Sequence, residues 1–369
     1  MMETISLNRN ARLRKSRYPI PALLLILFLS SCADPKNNNA QMNEQTNIDN
    51  ELNKINSLIR DKSFTIAMSG SLDSNYQAHY DPKGPAPTAY DSVSTKRKSL
   101  KEEKIATNLA GFYAVECGIG ALMEMQGGTP LQWLNKIIDQ QLDSASLTLL
   151  RRFANATWKI GQPFRSLDRI TSENFVTFNQ LSPEEVKKDD DQLIAAALKL
   201  RTDLNGIPSD SATAQLQKIN SLLRDKTYAL DMARHMDSAY YIGQAKTVPP
   251  FVDAKEDTAT SVKSFGEEKV ATSIAGFYAL ECGINYLVTT QQKAPSEILR
   301  LIIADSLAEK DKILLERFAN ATWKASQPFR GMDRLTRDTF VPFNFLPKEE
   351  VEKDWVQIKG AAAKLIKYL

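Results

Sequence analysis

The chain has 369 residues, 43% of them apolar and 25% charged, which excludes a disordered or fibrous protein and leaves room for about two domains. Its net charge of +3 is set at the N-terminus, where Arg9, Arg12, Arg14, Lys15 and Arg17 against Glu3 carry +4 and leave −1 for everything else. With no clustered basic excess there is no nucleic-acid footprint.

Residues 1–31 read as an export signal: a basic stretch ending at Arg17, the apolar run PALLLILFL from Pro21 to Leu29, then small residues before Cys32. The run is too short to span a bilayer as a stable helix. Leu29-Ser30-Ser31-Cys32 resembles the lipobox of bacterial lipoproteins. That resemblance covers the leader alone. It implies that Cys32 becomes the first mature residue, carries lipid on its sulfur and amine, and anchors the protein to a membrane of the cell envelope, as more than one acyl chain can. Residue 33 is Ala and not Asp, which by similarity to lipoprotein sorting rules implies the outer membrane over the inner. Residues 32–50, with six asparagines between Asn37 and Asn50 and almost no apolar content, are expected to be a flexible tether.

Beyond the tether the chain repeats. EEKIATNLAGFYAVECGI from Glu102 returns as EEKVATSIAGFYALECGI from Glu267, with 14 of 18 positions identical. RFANATWKIGQPFR from Arg152 returns as RFANATWKASQPFR from Arg317, and KINSLIRDK from Lys54 as KINSLLRDK from Lys218. The offset is 164 at the earliest match and 165 at the later ones. Two tandem all-α bundles are expected, 51–204 and 214–369, of about five helices each, joined by a linker at 205–213.

In chain order each repeat predicts a helix over 49–72 or 216–239, then a loop rich in Pro, Tyr and Ala at 79–93 or 243–258. A long helix over 100–126 or 265–291 carries the repeated glutamate. A short helix opens at Pro130 or Pro295, where proline suits the first turn. The ANATW helix is expected to end at Gln162 or Gln327, because the following proline disfavours helical geometry before it. The last helix opens at Ser182-Pro183-Glu184-Glu185, a capping pattern, and its partner covers 347–369. Strand-like character is confined to NFVTFN and TFVPFN.

Glu116 and Glu281 are the first candidates for chemistry. On a helical wheel Ile105, Leu109, Phe112, Glu116 and Met123 fall within about 60° of each other. The carboxylate therefore points into the core, where it needs a cation or a proton. It serves as a structural ion pair or hydrogen-bonded carboxylate, with Arg152 and Arg317 or Arg165 and Arg330 as candidate partners, as a general acid or base, or as a ligand contact. As an acid or base, Glu116 could assemble with Asp168 in space into a glycosidase-like pair, whose separation sequence does not give.

The small residues Ala106, Ala110, Gly111, Ala114, Cys117 and Gly118 admit close neighbours, so this helix is expected at the centre of the bundle. Cys117 and Cys282 read as buried thiols, or as a disulfide if the two helices meet.

The ANATW helix sets Arg152, Asn155, Trp158, Lys159 and Gln162 opposite its core stripe, with Trp158 roughly 140° away. Such a tryptophan, repeated as Trp323, needs a second surface. That surface is the other module, a loop, or a ligand that stacks on indole and bonds to amides, which makes Asn155, Trp158, Gln162, Asn320, Trp323 and Gln327 the candidate ligand or partner surface. Asp168-Arg169 and Asp333-Arg334 read as turns with a capping salt bridge.

The two histidines, His79 and His235, sit at non-equivalent positions, and no Gly-rich phosphate loop, CxxC motif or nucleophile elbow occurs. No cofactor, metal or nucleophile is expected. The sequence points to a non-catalytic, membrane-anchored envelope lipoprotein of binding or scaffold type, whose modules engage a partner protein or an envelope polymer or serve as a structural spacer. The alternative is an envelope glycan hydrolase or lyase using Glu116 or Glu281.

Overall fold

Asp61 and Asp225 divide what sequence periodicity joins. The computed structural model describes residues 35–80, 95–244, 246–248 and 260–369, and residues 45–369 form one compact unit. The leader with Cys32 and Ala33, and most of the two Pro- and Tyr-rich loops, lie outside the described residues. Helix α1 covers Pro35–Ile59 and α2 Lys62–Tyr80; in the second half α7 covers Ala212–Leu223 and α8 Lys226–Gly243. Each pair was expected as one helix. The aspartate side chain breaks it by capping the second helix: Asp61 accepts from Phe64 N at 3.1 Å, and Asp225 from Thr227 N at 2.8 Å and Tyr228 N at 3.2 Å.

Helix α1 also runs through the Asn-rich segment expected to be an unordered tether. Gln45 donates to Asp49 and Asn47 to Glu51, each one helical turn on, and Ile48 is buried. The segment is thus the first part of a helix whose later turns bury Ile55 and Ile59.

The order continues with strand β1 Thr95–Ser99, α3 Leu100–Gln126, α4 Pro130–Ile138, α5 Ser144–Arg165 and α6 Pro183–Asp203. In the second half come β2 Thr260–Ser264, α9 Phe265–Ser273, α10 Ala275–Gln291, α11 Pro295–Ile303, α12 Glu309–Arg330 and α13 Lys348–Leu365. The fold is all-α apart from the short β1–β2 ribbon. NFVTFN and TFVPFN are not strands; they end in 3-10 turns at Phe178–Gln180 and Phe343–Phe345. Helices α5 and α12 pass through Pro163 and Pro328 to Arg165 and Arg330 rather than stopping before them. So near the C-terminus each proline forfeits a single ladder bond, and Ser166 N closes the end on Gln162 O at 3.0 Å.

The repeats do not stand as two separate bundles. They exchange their first helices. Helix α8 packs on α3 and α6: Asn108 donates to Asp237 at 3.2 Å, Lys104 pairs with Asp237 at 2.9 Å, and His235 contacts Ala195 O at 3.0 Å. Helix α2 packs on α9 and α13 in the same way, with Lys269 on Asp73 at 2.8 Å and Asn75 donating to Val356 O at 3.1 Å. Glu51 on α1 caps α11 by accepting from Ser296 N at 2.7 Å, and Gln215 on α7 does so for α4 by accepting from Leu131 N at 2.8 Å.

Equivalent residues of the two halves meet face to face. Phe153 stacks on Phe318 at 4.1 Å and Phe164 on Phe329 at 5.3 Å. The antiparallel ribbon sets Arg97 opposite Val262, its own counterpart. Self-pairing of this kind is what an approximate two-fold axis imposes on an interface.

Helices α3, α5, α10 and α12 form the centre. Close approach within each half rests on Gly118 and Gly283, where a Cβ would lie 2.4 Å from Leu150 Cδ2 and 2.3 Å from Leu315 Cδ2. Helix α3 from Glu102 is long and apolar enough to cross a membrane, but most of it is buried within the protein, as a core helix is.

Candidate ligand-binding cavities

The two glutamates are sealed, and each is held by a lysine from the other half. Lys159 Nζ lies 2.5 Å from Glu281 Oε2 with both side chains fully buried, and Lys324 Nζ lies 2.7 Å from Glu116 Oε2. The arginines considered as partners go elsewhere. Arg152 donates to Asn179 at 3.2 Å and Thr289 at 3.0 Å, Arg317 to Asn344 at 2.8 Å, and Arg165 lies 3.7 Å from Glu103. The wheel placed Lys159 on the outward face. It is outward only from its own half, and the surface it meets is α10 of the other.

Cys117 and Cys282 are free and buried, so no disulfide joins the halves. Each thiol donates to the neighbouring carboxylate, Cys117 to Glu116 at 3.1 Å and Cys282 to Glu281 at 3.2 Å. Burial pushes both thiols well above the usual range, with the adjacent glutamate adding to the effect, so they remain protonated and unreactive.

Two cavities flank this centre, of about 630 Å³ and about 380 Å³. They are equivalent. The first takes Asn155 and Trp158 from α5, Asp189 from α6 and Tyr240 from the exchanged α8; the second takes Asn320 and Trp323 from α12, Asp354 from α13 and Tyr76 from the exchanged α2. Each is therefore complete only when both repeats contribute.

Trp158 and Trp323 are half-buried. One part of each indole packs on a phenylalanine of the former strand candidates, Trp158 on Phe175 at 5.9 Å and Trp323 on Phe340 at 5.9 Å, and the rest lines the cavity. Thus the second surface that sequence demanded is in part the NFVTFN and TFVPFN segments and in part open space. Gln162 lines the first cavity and is fixed by Arg169 Nε at 2.9 Å, whereas Gln327 is fully buried, accepts from Arg334 at 3.4 Å and does not line the second. Both Asp168-Arg169 and Asp333-Arg334 sit in 3-10 turns, as expected; Asp168 takes Lys62 as its salt-bridge partner, while Arg169 and Arg334 donate to Gln162 and Gln327.

Asn155 and Asn320 connect floor and core. They line the cavities while their Oδ1 atoms face Cys282 Sγ at 3.7 Å and Cys117 Sγ at 4.0 Å.

Sequence reasoning missed the wall formed by α6 and α13. Glu185, Lys188 and Asp189 line the first cavity and their counterparts Glu350, Lys353 and Asp354 the second. Burial, with help from Asp190 and Glu185, pushes Asp189 up to about 8, and Asp354 is driven well above the carboxylate range by burial, Glu316 and Glu350. The signal was present: EEVKKD from Glu184 returns as EEVEKD from Glu349.

No protein-family model matches the chain, and neither does any curated protein or solved structure. The cavities therefore carry the functional argument alone. Their volumes fall in the range of small-ligand sites, and an indole wall beside amides, a tyrosine and carboxylates suits a polar ligand with a ring to stack.

Proposed function

We propose that this protein is a lipoprotein of the bacterial cell envelope that holds an envelope glycan, without catalysis, in two equivalent cavities. The leader supports the location: Cys32 takes the lipid, and Ala33 directs the anchored chain to the outer membrane. The observation that carries the binding role is the repetition of one cavity, with Trp158 and Asn155 in the first and Trp323 and Asn320 in the second. A concave, polar site with a partly exposed indole is suited to sugar rings, whereas a protein partner is ordinarily met by a broad apolar-centred face.

The hydrolase alternative gains no support from this geometry. Glu116 and Glu281 are closed off and ion-paired, and the space beside Glu116 amounts to about 10 Å³, too little for a sugar.

The test is a titration of the soluble mature chain, lacking Cys32, with N-acetylated chitotriose and with purified peptidoglycan, followed by tryptophan fluorescence and co-sedimentation. Saturable binding at two sites per chain is expected, with Trp158→Ala and Trp323→Ala each removing one. Equal co-sedimentation of the wild type and both variants would sink the reading.

A further inference from the structure

Each pocket wall carries one aspartate that no side chain among the described residues pairs with. Asp189 and Asp354 occupy equivalent wall positions, are half-buried, and have no hydrogen bond or salt bridge among the described residues. Arg165 and Arg169 line the first cavity and Arg330 and Arg337 the second without pairing with these aspartates, and the cations that act on the aspartates are already committed. Beside Asp189, Lys188 pairs with Glu185, Arg151 with Asp190 through two bonds of 2.7 and 2.6 Å, and Lys159 with Glu281. Beside Asp354, Lys353 pairs with Glu350 at 2.5 Å and Lys324 with Glu116 at 2.7 Å. Glu316 faces Asp354 as a further acid.

An unpaired carboxylate in a cavity wall is costly unless something arrives to neutralise it. Two chemistries do so: a proton, or a cationic group on the ligand. The same carboxylate is left open in both halves although the residues around it differ: Asp190 becomes Trp355 and Arg151 becomes Glu316. What persists in both is the aspartate opposite an indole-bearing helix. We propose that Asp189 and Asp354 are the cation-anchoring residues of the two cavities, so that the ligand is a glycan carrying a protonated alkylamine beside its stacking ring. This rests on the glycan-binding reading and narrows it.

The raised position of both carboxyls gives the linkage its sign. Below about pH 8 the free Asp189 carboxyl is largely protonated, so an incoming ammonium must displace that proton. Affinity for the amine therefore rises with pH towards about 8, up to tenfold per unit, provided that the amine stays charged. A protonated aspartic acid that only donates to a sugar hydroxyl gives the opposite slope.

The experiment compares two probes that differ only at the amine, the aminopropyl glycoside of chitotriose and the same compound N-acetylated at the propylamine, and the double variant controls for the added acetyl group. The amine, similar to that of lysine, remains protonated past pH 9. Titrations at pH 6 and pH 8.5 use the wild type and Asp189→Asn/Asp354→Asn, with circular dichroism confirming the fold.

At pH 8.5 the amine probe is expected to bind the wild type at least tenfold more tightly than the acetylated one, with the advantage shrinking at pH 6 and absent in the double variant. Equal binding of both probes at pH 8.5, or an advantage that survives in the double variant, overturns the cation anchor and leaves the glycan reading in place. Failure of both probes to bind overturns the glycan reading and this proposal together.

Discussion

The two cavities share one plan and differ in what stands behind it. In the first, Ser172 and Asn174 line the mouth; in the second their places are taken by Arg337 and Thr339, and the volume falls from about 630 to about 380 Å³. Behind Asp189 stands the Arg151–Asp190 ion pair, while behind Asp354 the corresponding residues are Glu316 and Trp355, and the indole nitrogen of Trp355 donates to Asp305 instead at 2.8 Å. The indole, floor amide and wall aspartate are common to both. Comparison within the molecule thus separates the lining residues that the architecture repeats from those free to drift at the mouth and behind the wall.

The largest expected effect lies under the cavities. Removing one member of a buried ion pair leaves an uncompensated charge, at a cost of about 3–5 kcal/mol. Lys159→Met and Lys324→Met should both lower stability in urea unfolding, but not equally. Glu281 keeps a hydrogen bond from Asn285 at 3.0 Å, yet it is fully sealed, and Arg152, the other cation acting on it, is held by Asn179 and Thr289. At the equivalent of Asn285 the first half has Gly120, and Arg317 Nη1 fills the space, 2.8 Å from where a Cβ would stand. Arg317 is therefore available to Glu116 when Lys324 is lost, and Lys324→Met is expected to cost less. An equal loss for the two variants would show that this asymmetry is electrostatically silent.

Next in size are the tryptophans. Loss of a ring-stacking surface should weaken its own site by about tenfold or more. Trp158→Ala and Trp323→Ala should each reduce the stoichiometry of chitotriose binding from two per chain to one in calorimetric titration. The remaining site reports the affinity of each cavity by itself. If either variant lost both sites, the cavities would be coupled through the central helices and not independent copies.

A smaller effect separates the aspartates by pH. An acid held above its ordinary range binds its proton more tightly when folded, so stability falls as pH rises from the unfolded value towards the folded one. For Asp189 that window runs from about 4 to about 8. Asp189→Asn should match the wild type near pH 4 and melt about 2 °C higher at pH 8.5, the order of shift brought by about 1 kcal/mol in a chain of this size. A higher melting temperature for the variant at pH 4 as well would assign the gain to packing and not to titration.

Much of this was legible beforehand, and the failures have two origins. Local signals read true: Pro130 opens α4 with Thr129 as its cap, and Ser182 caps α6 by accepting from Glu185 N at 3.2 Å. The exchange of α1–α2 with α7–α8 was not legible, because repeated sequences offer each helix pair two nearly identical docking surfaces and pattern alone does not choose between them. The misreading of Lys159 follows from the exchange. A helical wheel knows one core, and α5 has two, its own half's and the one across the axis. The wall aspartates escaped for another reason: Asp189 lies in a run of charged residues, KKDDD, that reads as a solvated face until a cavity is seen beside it.

The smallest expected effect, and the finest test of the difference between the cavities, concerns Glu316. It is buried, pushed up to about 7 chiefly by desolvation, and its charge adds to the pressure on Asp354. Replacing it by glutamine removes a like charge while keeping the shape, so the Asp354 carboxyl should ionise at a lower pH, by about one unit or less. In an Asp189→Asn background only the second cavity retains its anion. The pH at which that cavity takes up the aminopropyl glycoside should then move down on Glu316→Gln. In an Asp354→Asn background, where only the first cavity reports, the same substitution should leave the profile in place. A shift in both backgrounds would mean that Glu316 acts through the shared core rather than on its neighbour, and the two cavities would then differ in lining but not in electrostatics.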